Sequence, residues 1–141
     1  MQRVSPQAGD EPPEFFSDRS LMKRCPAVLR ELGWRVTSWW DLYPDEEQNA
    51  VEDEVWIPHV VANRFCILSQ DDAMRRSRII CDAIINNEAQ IVALSRADLT
   101  GQQKAERFHA VQGEIYRRAT VPGYAYFTLG GDLRLRRRNL A

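Results

Sequence analysis

An apolar run that stops abruptly at two acids, Phe65-Cys66-Ile67-Leu68-Ser69-Gln70-Asp71-Asp72, constrains the fold of this chain more than any other stretch. Cys66, Ile67 and Leu68 follow one another without polar alternation, the pattern of a strand covered by helices on both faces of a parallel sheet. In open α/β sheets ligands bind just beyond the carboxyl ends of the strands, where Asp71 and Asp72 fall. Asp18 follows Glu14-Phe15-Phe16-Ser17 in the same way. Two strands thus bring acids to one edge, the arrangement of a hard-metal site. A single aspartate after a strand has a plainer role, capping the helix that follows, so the metal reading needs several carboxylates to converge.

The flanking sequence supplies the alternation of strands and helices that such a sheet requires. Leu21, Cys25, Val28, Leu29 and Leu32 recur at helical spacing, Gly33 stops that helix, and Pro26 sets its regular start. Trp34 to Trp39 alternates and is rich in strand formers. A loop broken by Pro44 follows, then a helical face of Val55, Trp56, Ile57, Val60 and Val61, with Pro58 in a first turn or at a kink. Residues 74–87 read as a helix and Ile91 to Leu94 as a fourth strand. One helix is expected from Thr100 to Arg118, capped by Thr100. Tyr124–Leu129 and Leu133–Leu135 around Gly130-Gly131 read as a hairpin. The β-α-β-α-β-α-β order argues for a mostly parallel sheet between helical layers. Residues 1–13, with three prolines and Gly9, are expected to be a loose tail ahead of a single domain spanning 14–141.

Composition narrows the class. The 44% hydrophobic content over 141 residues suffices for a packed core. No apolar run approaches the roughly 20 residues of a membrane span, and the N-terminus lacks the apolar centre of a secretory signal. A cytoplasmic location is therefore expected. Cys25, Cys66 and Cys81 are odd in number and widely spaced, which argues against disulfide scaffolding and structural zinc. Net charge is −1, but its distribution is uneven. Asp41, Asp45, Glu46, Glu47, Glu52, Asp53 and Glu54 form an acidic locus without a basic residue. Arg75, Arg76 and Arg78 form one basic cluster, and Arg134, Arg136, Arg137 and Arg138 another. Acid edged by arginine suits a metal-dependent enzyme acting on a phosphate backbone; it also suits an ordinary solvated surface.

Asp18, Asp53 and Asp71 are the leading metal-ligand candidates. Mg²⁺ and Mn²⁺ favour carboxylate oxygens. Carboxylates held close together raise one another's pKa and cost stability unless a cation neutralises them. A bound divalent ion acidifies water and polarises a phosphodiester.

Four segments carry a family likeness. Phe16-Ser17-Asp18-Arg19-Ser20-Leu21, Leu29-Arg30-Glu31-Leu32-Gly33-Trp34-Arg35-Val36, Asp53-Glu54-Val55-Trp56-Ile57 and Ile67-Leu68-Ser69-Gln70-Asp71 together resemble the PIN-like nucleases. More narrowly, they are similar to the VapC-type toxins of toxin–antitoxin pairs. The likeness covers about residues 15–72, and beyond it only the α/β order agrees. It implies a Rossmann-like PIN fold and a Mg²⁺- or Mn²⁺-dependent endoribonuclease. Asp18, Asp53 and Asp71 match the family's acids, with Asp72 as a further metal ligand. For a fourth acid Glu46, Glu54 and Asp72 compete. Glu54 and Ser69 are placed to assist. Arg19 is placed either to steady a scissile phosphate or to neutralise Asp18 or Asp53. Arg75 and Arg76 fit an RNA backbone, and Trp39, Trp40 and Trp56 are candidates to stack on unpaired bases. The likeness also implies an RNA substrate, an antitoxin partner and the option of a homodimer. The alternative from a different class is an RNA- or protein-binding module of the same fold that no longer holds metal.

Overall fold

The computed structural model describes residues 12–43, 51–63, 65–70 and 72–141, with Glu54 described by its backbone alone. Phe15 and Phe16 anchor the centre of the molecule. They sit in β1 (Glu14–Ser17), which pairs in parallel with both β2 (Arg35–Ser38) and β3 (Cys66–Ser69). Parallel pairing continues through β4 (Gln90–Leu94) to β5 (Ala125–Leu129), and β6 (Leu135–Arg137) closes the edge antiparallel to β5. The strand order is β2-β1-β3-β4-β5-β6. The mixed α/β, mostly parallel architecture expected from the sequence is the one observed.

Successive strand residues point to opposite faces, so one strand feeds two cores. Phe15, Cys66, Leu68, Val92 and Phe127 pack beneath α1 (Arg24–Glu31), α5 (Gly101–Ala110) and α6 (Gln112–Ala119). Phe16, Ile67, Ile91, Ala93 and Tyr126 pack beneath α3 (Asp53–Ala62) and α4 (Arg78–Asn86). Phe15 and Phe16 are fully buried, and truncating either to alanine would cost on the order of 3–5 kcal/mol. Cys25, Cys66 and Cys81 are buried free thiols, and burial pushes those of Cys25 and Cys66 up to about 12. They are packing residues, as expected.

Several local expectations shift. The helix after Asp18 is split. A 3-10 turn, Arg19–Leu21, is followed by Met22 at φ 62, and the α-helix begins only at Arg24. Trp39 does not extend β2. The hydroxyl of Ser38 and the carboxylate of Asp41 form a capping box, which starts the short helix α2 (Trp39–Leu42) at Trp39. Pro58 falls inside α3. Residues 74–87 are a 3-10 turn, Asp72–Arg76, and then α4, because the Ser77 hydroxyl caps the latter afresh. The expected helix from Thr100 to Arg118 is two helices broken at Val111 (φ −118, ψ 27), although the Thr100–Gln103 capping box forms at its start. The break lets Phe108 and Ile115 both reach the same core. In the last hairpin the left-handed residue is Leu133 (φ 61) rather than either glycine, and β6 is displaced accordingly to Leu135–Arg137.

Candidate functional site

The strand order locates the site before any side chain is considered. Because β1 lies between β2 and β3, the chain leaves β1 toward one side and returns to β3 on the other. At such a switch point the connecting segments diverge and leave a crevice beyond the carboxyl ends of the strands. Asp18 stands there. Its backbone N–H donates to Leu68 O at 3.1 Å, which ties the end of β1 to β3.

The Asp18 carboxylate is only 5% exposed and is held by hydroxyls. Oδ1 accepts from the Ser20 N–H (3.0 Å) and from the Ser20 hydroxyl. Oδ2 accepts from the Ser69 hydroxyl at 2.6 Å. The Ser20 Oγ in turn accepts from the Gln70 N–H at 2.9 Å, so the residue after β3 closes the ring. The bond from Ser20 N–H makes Asp18 the cap of the Arg19–Leu21 turn. Capping and site formation are therefore one arrangement here.

Burial dominates the electrostatics. Desolvation pushes the Asp18 carboxyl up to about 6, against the lowering effect of the Ser20 and Ser69 bonds, and the charge of Asp53 pushes it further the same way. Asp53 opens α3, and its Oδ1 accepts from the Trp56 indole N–H at 2.7 Å. Trp56 is fixed between Phe16 (centroids 5.4 Å) and Trp39, which it meets edge-on at 5.7 Å. The Arg19 guanidinium lies 5.0 Å over the Trp39 ring. Trp39 and Trp56 are thus interior supports, closed to base stacking, whereas Trp40 is half-buried beneath Lys23.

Asp72 has the opposite surroundings. Arg75 grips it with Nε at 2.7 Å and Nη2 at 2.6 Å, and the buried Tyr126 donates its hydroxyl to Oδ1 at 3.3 Å. Arg75 holds this carboxyl below the usual range, helped by Tyr126 and the charge of Arg138. Of the expected ligands, then, Asp18 and Asp53 come within each other's electrostatic reach, and Asp72 is committed to an arginine. Asp71, Glu46 and the side chain of Glu54 lie outside the described residues. Among the described residues no three His, Cys, Asp or Glu side chains gather into a metal-holding group. The donors at Asp18 and Asp53 are oxygens alone, the chemistry that Mg²⁺ and Mn²⁺ select. The proton affinity of buried Asp18 marks a place where a cation would relieve an unfavourable charge.

Some contributors were not legible beforehand. Ser20 is the principal partner of Asp18, signalled only by its place two residues later. Lys104, 8% exposed, reaches from α5 to the Ser20 carbonyl (3.4 Å) and steadies the turn from below. Asp98 lies four residues past the end of β4, and its loop is tied to the site where Gln70 Nε2 donates to Ala97 O at 3.2 Å.

A family model described as the PIN-like domain matches residues 13–96. A protein of Mycobacterium tuberculosis provisionally named ribonuclease VapC45 is 29% identical over 116 residues, covering 82% of this chain and 84% of that protein. No solved structure matches the chain. The matched segment runs from the entry of β1 past the end of β4 and contains Asp18, Asp53, Ser69, Asp71 and Asp72. The chain belongs to the PIN-like domain family.

Proposed function

We propose that this protein is a Mg²⁺- or Mn²⁺-dependent endoribonuclease, the toxin of a toxin–antitoxin pair, working in the cytoplasm. One observation carries the reading: a buried carboxylate, Asp18, is held at the switch point by two serine hydroxyls, with a second acid, Asp53, near enough to raise its proton affinity. Family membership and the relative provisionally named a ribonuclease support the same reaction class. Asp18, Asp53 and Asp71 would hold the cation. When bound, it supplies an acidified water and offsets the charge that builds on the phosphate.

The chain's own residues do the rest. Ser20 and Ser69 fix the orientation of Asp18, and Trp56 fixes that of Asp53. Held this way, Asp18 and Asp53 would be pre-organised to receive the cation. Arg19, parked over Trp39 beside Asp18, is the cation nearest in sequence to the site and would meet a scissile phosphate. Asp72 serves the neighbouring cleft through Arg75 rather than the metal. The proposed antitoxin would mask the acidic edge with a basic side chain.

The test is cleavage of single-stranded RNA across a Mn²⁺ titration, with Asp18→Asn and Asp71→Asn alongside. Cleavage that needs Mn²⁺ and disappears in both variants is expected. RNA that is bound but left intact at every Mn²⁺ concentration would remove the enzyme and leave a binding module.

A further inference from the structure

Beside Asp18, on the far side of Ser20 and Gln70, a cleft of about 530 Å³ runs across the ends of β3, β4 and β5. Four arginines line it, Arg75, Arg76, Arg96 and Arg138, against Asp72 as the acid among the described lining residues. These arginines are not equivalent. Arg75 is engaged by Asp72 through two hydrogen bonds, and Arg138 gives its Nε to the Thr128 hydroxyl at 3.0 Å. The side chains of Arg76 and Arg96 are exposed and make no ion pair, hydrogen bond or ring contact among the described residues.

We propose that this cleft is the track for the backbone of single-stranded RNA next to the cleaved bond, with Arg76 and Arg96 as its phosphate contacts and Arg138 behind them. The inference rests on the nuclease reading for its choice of RNA, but the charge arrangement stands without it. Arg75, a residue that sequence reasoning assigned to RNA, is here paired with Asp72 and offsets its charge. Were Asp72 free, its negative charge would face the strand. With Arg75 and Tyr126 on it, the cleft presents a net surplus of cations to anything that enters past Ser20. Hydroxyls on the same wall, Ser95 and Thr128, offer neutral donors to phosphate oxygens. Flexible single strands can follow such a groove, whereas base identity is not read by backbone contacts. The cleft is therefore expected to contribute affinity rather than sequence choice.

Salt dependence distinguishes this track from general stickiness. Each phosphate contact on a single strand adds about 0.7 to the slope of log affinity against log salt. The measurement is fluorescence anisotropy of a labelled mixed-sequence RNA 20-mer on full-length Asp18→Asn protein, which leaves the RNA uncut. Into it are placed Arg76→Gln, Arg96→Gln, both together, and Arg117→Gln as a control. Arg117 is exposed on α6 and lies outside the cleft lining. Each cleft substitution is expected to weaken binding roughly 3- to 10-fold at low salt and to flatten the slope by about 0.7, with additive effects in the pair. Arg117→Gln is expected to change neither.

Slopes for Arg76→Gln and Arg96→Gln equal to that of the control overturn the proposal. So does loss of polyglutamate binding in those variants with RNA binding intact, which would assign the cleft to an acidic protein segment. The nuclease reading fails separately: wild-type protein that never cuts RNA in Mn²⁺, but whose cleft variants flatten the slope, keeps the track and loses the enzyme.

Discussion

Asp18 and Asp72 both stand just past strand ends on one edge of the sheet, and they behave as opposites. Asp18 is buried, its partners are neutral hydroxyls, and its carboxyl is pushed up to about 6. Asp72 is half-exposed, its partners are Arg75 and Tyr126, and its carboxyl is held below the usual range. Placement past a strand fixes where a carboxylate is, and neighbours decide what its charge costs. Hydroxyls satisfy the oxygens of Asp18 but bring no positive charge, and among the described residues no ion pair offsets it. Arginine supplies that charge to Asp72 directly. The proposed cation would therefore relieve a charge at the first acid that arginine already offsets at the second.

The comparison is most easily broken at Asp18. Asp18→Asn should lower RNA cleavage by about 100-fold or more, the scale on which electrostatic groups at a reacting centre count. The same substitution should raise stability at pH 7 by roughly 1–3 kcal/mol, measured by urea unfolding with chelator present. Asn can keep the local bonds, accepting from Ser20 and donating to Ser69. Loss of stability in that variant would mean that the charge is no burden.

The pH dependence sharpens the contrast. Asp18 has a folded value of about 6, raised from 3.8. Between those values the folded state binds more protons than the unfolded one. Metal-free stability should therefore fall as pH rises from about 4 to about 6, by a few kcal/mol, and level off above. Asp18→Asn should lack this slope. Asp72, with its lowered value, acts in the other direction: its contribution is present at neutral pH and fades as pH falls below the ordinary carboxylate range.

Smaller effects separate the partners. Asp72→Ala removes the acceptor of Arg75 and Tyr126 and should cost about 1 kcal/mol in thermal or urea unfolding, given a partly exposed pair. Its RNA cleavage should drop less than tenfold; abolition on the scale of Asp18→Asn would make Asp72 a ligand after all. Ser69→Ala removes the donor to Asp18 Oδ2 and so raises the proton affinity of Asp18 further. The acid limb of the pH–rate profile should move upward. A downward shift would mean that Ser69 does not favour the charged form.

Sequence alone was enough for the layers. Runs such as Phe15-Phe16 and Cys66-Ile67-Leu68 have no polar alternation, so both strand faces must be covered, and the alternating helices supply the cover. The strand-ending acid Asp18 was legible for the same reason. Less legible were breaks within helices. Val111 leaves the helical region because Phe108 and Ile115 must meet one core, a demand of packing that periodicity along the chain does not contain.

The division at the site has one physical cause. Residue order determined that Asp18 and Asp72 end up near strand termini, since a parallel sheet delivers every such residue to one edge. Only the tertiary structure decided that Ser69, 51 positions away, and burial close around the first while Tyr126, 54 positions away, joins the adjacent Arg75 on the second. A carboxylate's proton affinity follows the dielectric and charges within a few ångströms; Ser20 and Arg75 come from the adjacent stretch of chain, whereas burial, Ser69 and Tyr126 are supplied by strand order and packing.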